Sequence, residues 1–592
     1  MFFATLLAMA VVVVGGAVVL VVGVGALSSM SKPKPVVVED SVLVFNMSGN
    51  IQDSPVSQSE QEVLNQVLGQ DSPQRYALRD VLSAIRLAAK DEDIKGLYIK
   101  GQFQPSGYGS GFAALKEVRE AILDFKESGK PTLAHVIYPS SLSLYVASAA
   151  DKIYMNPEGM LLSTGFASQP MFLAGFFEKY GIGVQVSKAG EYKSAAESFV
   201  LKKMSEPARE QTKALIFDMW DEYVAAVAGK ADITAEEFQE ILDTRGMLTA
   251  DDALEIGIVD DLAFAEEIIE ELKQVTGEES DKYKFKATSL AKYIQSTNTN
   301  KSAKNGYVAV VYAEGPIVVG EGDQGQVGGD RIAREIRQLR QNNKVKAIVL
   351  RVNSPGGSAL ASEVIQHELR LAKEDVPVVV SMGTVAASGG YWISTYADKI
   401  FAEPNTITGS IGVIGLFMNF QEIANNHGFT FDTVKTAKFA DVMSAVRPKT
   451  EEEMEIIQNE IDHIYGDFLA KVAEGRNLPI EEVAEIAGGR VWSGEDALEI
   501  GLVDEIGGLE AAIAHAGELA DLGSDPAVRD FPKPKDFFDE LIKNLSQNTM
   551  IGQNNVLVDT VQSVFEEVEN LATTFNDPKG VYAILPYRLD IQ

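Results

Sequence analysis

Short apolar runs rich in valine and isoleucine alternate along most of the chain with longer amphipathic stretches. "SVLVFNMSGNI", "KGLYIK" and "PTLAHVIY" are followed further on by "YVAVVYAEGPIV", "KAIVLRV" and "VPVVVSMG". Apolar runs of this length, each separated from the next by a helical pattern, predict βα units whose strands form a parallel sheet covered on both faces. The fold class is therefore α/β.

The same order of elements occurs twice, and so do particular words. "DKIYMNPEG" at 151 matches "DKIFAEPNT" at 398, and "KYGIGVQVSKAGEYKSA" at 179 matches "NHGFTFDTVKTAKFADV" at 426, both with an offset of 247. "DALEIGIVDD" at 252 matches "DALEIGLVDE" at 496, with an offset of 244. Matches that keep their order along the chain indicate a tandem duplication, and 592 residues are too many for one core. The expected boundaries are a first repeat at 42–275, a second at 307–520, and between them a polar linker at 277–306, rich in Ser, Asn and Lys. Residues 521–592 form an extension that includes the amphipathic run "VLVDTVQSVFEEVENLATTF".

Ahead of the first repeat, residues 2–27 carry no charge, which is long enough for a helix to cross a bilayer. No basic segment precedes this run, and it is longer than the apolar region of a cleaved signal, so residues 1–35 read as a retained membrane anchor with a short linker. Lys32 and Lys34 follow it, and by themselves favour keeping that side cytoplasmic.

Composition removes several chemistries. The formal net charge of -33 argues against nucleic acid or an anionic lipid surface as a partner. The chain has no Cys, which excludes disulfides, thiolate metal sites and a Cys nucleophile. The five His (135, 367, 427, 463, 515) have no ligand-like spacing, so neither a metal nor a cofactor is expected.

The candidate chemistry sits at the ends of two successive strands of the second repeat. "SMGTVAASGGYWIS", residues 381–394, sets Ser388 among small residues that would admit a substrate carbonyl and expose backbone N–H groups. "NSPGGS", Asn353 to Ser358, follows the strand "KAIVLRV" and offers a Gly-Gly turn whose N–H can donate to an oxyanion. Loops at the C-terminal ends of parallel strands gather at one sheet edge, so the two can meet. Each motif alone is also an ordinary tight turn.

Together these motifs resemble the Clp protease and crotonase superfamily, and more closely the signal peptide peptidase A family in its long, duplicated, membrane-anchored form. The resemblance runs from the anchor to the closing "FNDPKGVYAI". It implies a repeated spiral of βα units and a serine endopeptidase with a Ser/Lys dyad that degrades cleaved signal peptides. It also implies a bacterial cytoplasmic membrane location with the catalytic part outside the cytoplasm, and a homotetramer. The family's base falls in "GEYKSAAESF", at Lys193, with Ser388 as nucleophile, Gly357 and Gly389 as oxyanion donors, and Ser410 in "TGSIGV" orienting the Lys. At the repeat offset Lys193 corresponds to Ala440 and Ser388 to Ser141, and "QFQPSGYG" takes the place of the Pro355-Gly356-Gly357 turn. One half keeps the Ser and its turn while the other keeps the Lys, as a composite site would after duplication. The alternatives are a crotonase-like acyl-CoA enzyme using the same oxyanion turn, and a non-catalytic membrane scaffold.

Overall fold

The computed structural model describes residues 35–56, 74–162, 164–280, 283–297, 302–533 and 581–585. The apolar segment 2–27 and the amphipathic run 556–575 lie outside the described residues. Among those described, no helix is long and apolar enough to cross a membrane.

Two mainly parallel sheets carry the duplication into three dimensions, the second with an antiparallel edge strand, Val491–Ser493, paired to Ile407–Gly409. Across the first, the order is Asp261–Leu262, Lys152–Met155, Thr132–Val136, Ile94–Lys100, Ser41–Asn46 and Ala287–Ser289, with every neighbour parallel. Across the second, Glu505–Ile506, Lys399–Ala402, Val378–Ala387, Val345–Ser354, Tyr307–Glu314 and Val528–Phe531 follow the same order and direction. The apolar runs are continuous because both faces are covered. Along Tyr307–Glu314, Val308, Val310 and Tyr312 pack towards the helix Leu509–Leu519, while Ala309, Val311 and Ala313 join the larger core on the other face.

The two edge strands correct the boundaries read from sequence. The stretch 277–306, expected as a linker, contributes Ala287–Ser289 to the first sheet and then a helix, Leu290–Ser296, that buries Leu290 and Tyr293. Val528–Phe531 does the same for the second sheet, past residue 520. A three- or four-residue edge strand has too few positions to show a period, and the polar residues around it conceal it.

A third sheet draws on both halves. Its order is Val327–Gly328, Ile317–Val318, Gly356–Ser358, Val581–Ile584, Val413–Asn419 and Gly183–Ala189. The last pairing, antiparallel from Val413↔Ala189 to Asn419↔Gly183, clips a strand of the first repeat onto the second.

A buried ionic cluster makes a second joint. Arg351 is fully buried and donates to Asp53 at 2.6 Å, Glu117 at 2.7 Å and Ser381 at 2.8 Å. Asp53 also accepts from Asn353 at 2.6 Å, and Glu117 from the Leu509 backbone at 2.7 Å. Asp53 and Glu117 come from the first half, while Arg351 and Asn353 end the strand that leads into the Gly-Gly turn. Arg351→Met should therefore cost about 3–5 kcal/mol, because it leaves two buried carboxylates without a counter-charge. A fall in the urea unfolding midpoint would register it; a midpoint within error of wild type would contradict it.

Candidate active site

Ser388 directly follows the strand Val378–Ala387 and begins the short helix Gly389–Ser394. Its φ of 57° and ψ of -113° are a conformation that L-residues rarely adopt. The backbone is held there from both sides: Ser388 N donates to Gly409 O at 2.8 Å, and Trp392 N donates to Ser388 O at 2.8 Å. In the first half the corresponding helix, Ser141–Ala147, is capped by Ser140, whose hydroxyl accepts from Ser143 N. Ser141, the partner of Ser388 at the repeat offset, lies buried in the first turn of that helix. The Ser388 side chain makes no such cap.

It meets Lys193 instead. After the strand Gly183–Ala189 the chain turns at Gly190, and Tyr192 N is anchored on Gly488 O at 2.9 Å. This directs Lys193 into the second half, so that its Nζ lies 2.7 Å from Ser388 Oγ, within one chain. Nζ also donates to Ser410 O and to Ser410 Oγ, each at 2.9 Å. Three acceptors match the three N–H of an ammonium. In the neutral amine, two N–H directed at Ser410 would leave the lone pair facing Ser388 Oγ. Lys193, Ser388 and Ser410 are all fully buried. Burial drives the Lys193 pKa well below the ordinary lysine value, because the charged form loses its hydration. Ala440, the position of Lys193 in the other repeat, is exposed.

The Gly-Gly turn stands against the same serine. A side chain at Gly356, where φ is 95°, would fall 2.6 Å from Gly389 N and 3.0 Å from Ala387 O. One at Gly357, where φ is 153°, would fall 2.0 Å from Ile317 O. Only glycine fits a turn whose backbone approaches its neighbours this closely. Ser354 Oγ accepts from Gly356 N at 3.2 Å, and Asn353 Oδ1 accepts from Val385 N at 3.2 Å, which ties the turn to the strand bearing Ser388.

A buried serine beside a lysine whose pKa burial lowers, with a glycine turn against it, can perform acyl transfer. Comparison with known proteins points the same way. Residues 124–278 and 370–523 match Peptidase family S49, and residues 300–408 match Clp protease. "Protease 4" of Haemophilus influenzae is 35% identical to this chain, over 96% of it and 94% of that protein. The chain belongs to peptidase family S49. It is also similar to "Serine protease SPPA, chloroplastic" of Arabidopsis thaliana, 31% identical over 79% of this chain and 70% of that one. "Putative signal peptide peptidase SppA" of Enterococcus faecium is 40% identical over 30% of this chain and 52% of its own length. As an S49 member the chain is a serine peptidase, an α/β protein with a duplicated S49 domain and a Clp-like region.

Residues that sequence reasoning passed over surround this site. Asp53, Glu117 and Arg351 read as ordinary polar positions, and Asp53 is 298 residues from the arginine it meets. The strand Val581–Ile584 was part of an extension with no assigned role, yet it lies beside the Gly-Gly turn.

Proposed function

We propose that Ser388 is the nucleophile and Lys193 the general base of this peptidase. The observation that carries the reading is the 2.7 Å contact between Nζ and Oγ, made by two fully buried groups that come from opposite halves. Neutral Lys193 takes the Ser388 proton as Oγ attacks the peptide carbonyl, then passes it to the leaving amine. Ser410 holds the amine in line through its carbonyl and hydroxyl, and the N–H groups of Gly357 and Gly389 receive the oxyanion.

The substrates in this reading are apolar peptides, signal peptides released from secreted precursors among them. The name of the Enterococcus faecium relative, "Putative signal peptide peptidase SppA", supports this. Residues 2–27 anchor the enzyme once in the bacterial cytoplasmic membrane, with the catalytic part outside the cytoplasm. The domain limits are those given above, with each repeat extended to its edge strand. Exposed apolar side chains at Met171, Phe176, Phe429, Phe431 and Val434 support burial against further copies of the chain, in a homotetramer.

A fluorophosphonate probe tests the dyad. Labelling is expected at Ser388, located by mass spectrometry of the digested protein, and should vanish in Lys193→Ala. A crotonase-like or non-catalytic protein would not label, and a label on another serine would move the nucleophile.

A further inference from the structure

A fully buried amide joins the peptide that bears Lys193 to the strand pair that holds Ser388. Gln211 lies in the second turn of the helix Glu206–Ala231 and is shielded from solvent. Its Nε2 donates to Tyr192 O and to Ser194 Oγ, each at 3.0 Å, so one nitrogen grips both neighbours of Lys193. Its Oε1 accepts from Val491 N at 3.1 Å. Tyr192 O can only accept and Val491 N can only donate, which fixes the orientation of the amide and employs both of its N–H groups.

The far side of this bridge leads to the nucleophile. Val491 opens the strand Val491–Ser493, which runs antiparallel to Ile407–Gly409 with Val491 opposite Gly409. Gly409 O accepts from Ser388 N, and Ser410 N donates to Arg490 O at 2.6 Å. One side chain therefore spans from the residues flanking the base to the strands that set the Ser388 backbone and the Ser410 acceptors. The helix that carries Gln211 is a firm mount. Ser205 caps it, accepting from Ala208 N at 3.2 Å, and Met219, Trp220 and Tyr223 sink it into the core around the first sheet. On the solvent side the Arg490 guanidinium lies 5.1 Å from the centre of the Tyr192 ring and 4.4 Å from that of Trp492, and pairs with Glu210 at 3.0 Å. Tyr192 Oη donates to the same carboxylate at 3.2 Å, which closes a lid of side chains over the amide.

We infer that Gln211 is a positioning residue of the reaction: by bridging Tyr192 and Ser194 to Val491, it holds Lys193 Nζ at hydrogen-bond distance from Ser388 Oγ across the junction of the two halves. The inference rests on the Ser388/Lys193 reading above. Gln211 acts through Lys193, and the distance it sets is the one over which the Ser388 proton moves. A displacement of about 1 Å there is enough to slow a reaction on the order of 10²-fold. The same bridge keeps water from the amine. The charged groups around this loop include Lys188, Glu191, Glu197 and Glu210 from the first half and Arg490 from the second, yet the cause that lowers the Lys193 pKa is burial. A loosened loop admits water, the ammonium regains hydration, and the pKa rises.

The test compares the full-length wild type with Gln211→Met, which keeps the length of the side chain without its hydrogen bonds, in conditions where urea unfolding shows both proteins fully folded. On a fluorogenic apolar peptide amide, Gln211→Met should lower kcat by about 10-fold or more and leave KM within about twofold, because the base is displaced and the contacts to the peptide are not. The ascending limb of kcat/KM should move to higher pH by about half a unit or more. Reduced stability alone moves neither readout in a folded protein. Ser194→Ala removes one of the three contacts and only a hydroxyl from the packing. It should change both readouts in the same direction by less, and it carries the test if Gln211→Met does not fold. An unchanged kcat, a loss confined to KM, or an ascending limb that stays in place overturns the inference; the dyad still stands if the wild type labels with fluorophosphonate and Lys193→Ala does not. A wild type that does not label, or a Lys193→Ala protein that does, overturns the dyad and this inference together.

Discussion

Ser388→Ala is expected to lower peptide hydrolysis by roughly 10⁴-fold or more, because the acyl bond forms on the Ser388 hydroxyl and only binding and the oxyanion turn remain without it. The fold should survive, since alanine is smaller and Ser388 sits among small residues. Ser388→Gly separates chemistry from strain. At φ 57° and ψ -113° a serine pays for its Cβ, and glycine does not. The glycine variant should therefore be as inactive as the alanine variant, yet more stable than it by about 1 kcal/mol or more. Hydrolysis of an apolar peptide and urea unfolding of the three proteins check both halves. Equal stability of the two variants would mean that the backbone relaxes without cost, and more than a few per cent residual activity in either would remove Ser388 from the reaction.

That strain also explains what could be read without coordinates. Small residues on both sides of Ser388, after an apolar run, are a local signal, and so is the Gly-Gly turn after the preceding strand. Both follow from steric demands within a few residues. The partnership with Lys193 was legible through the family resemblance of "GEYKSAAESF" and the complementary losses in the duplication, because 195 residues separate the two groups and composition local to "EYKSA" does not distinguish a base from a solvated lysine. The repeat pattern also anticipated that the same succession of strands and helices occurs in both halves. It could not anticipate the third sheet, whose pairings join Gly183–Ala189 to Val413–Asn419 and Val581–Ile584 to Gly356–Ser358. The paired segments are not equivalent to each other under the repeat, so its offsets gave no sign that they pair. The Arg351 cluster was hidden for the opposite reason. Asp53, Glu117 and Arg351 are charged residues, which composition assigns to the surface, and only their mutual neutralisation permits burial.

Lys193→Met should reduce turnover at neutral pH by roughly 10²–10⁴-fold, the usual worth of a positioned general base. Its effect on stability should depend on pH in a direction that can be worked out. The folded protein holds the Lys193 pKa well below its ordinary value, whereas the unfolded chain restores it to about 10.4. Between these two values the unfolded state carries one more proton than the folded state, so wild-type stability gains from this site as pH rises through the window. Below the folded pKa the ammonium is buried and the full cost is present. Methionine has a similar length and does not titrate. The stability of Lys193→Met relative to wild type should therefore be greatest at low pH and decline steadily as pH climbs towards 10, whatever fixed cost comes from losing the contacts to Ser410. For the wild type, kcat/KM should rise with pH through the folded pKa, because only the neutral amine can accept the Ser388 proton. The two experiments thus report one group. The pH at which the difference between the urea-unfolding free energies of wild type and Lys193→Met begins to change should equal the midpoint of the ascending kcat/KM limb. If activity instead rises near pH 10, or the stability difference does not change with pH, the amine is charged in the folded protein and cannot be the base.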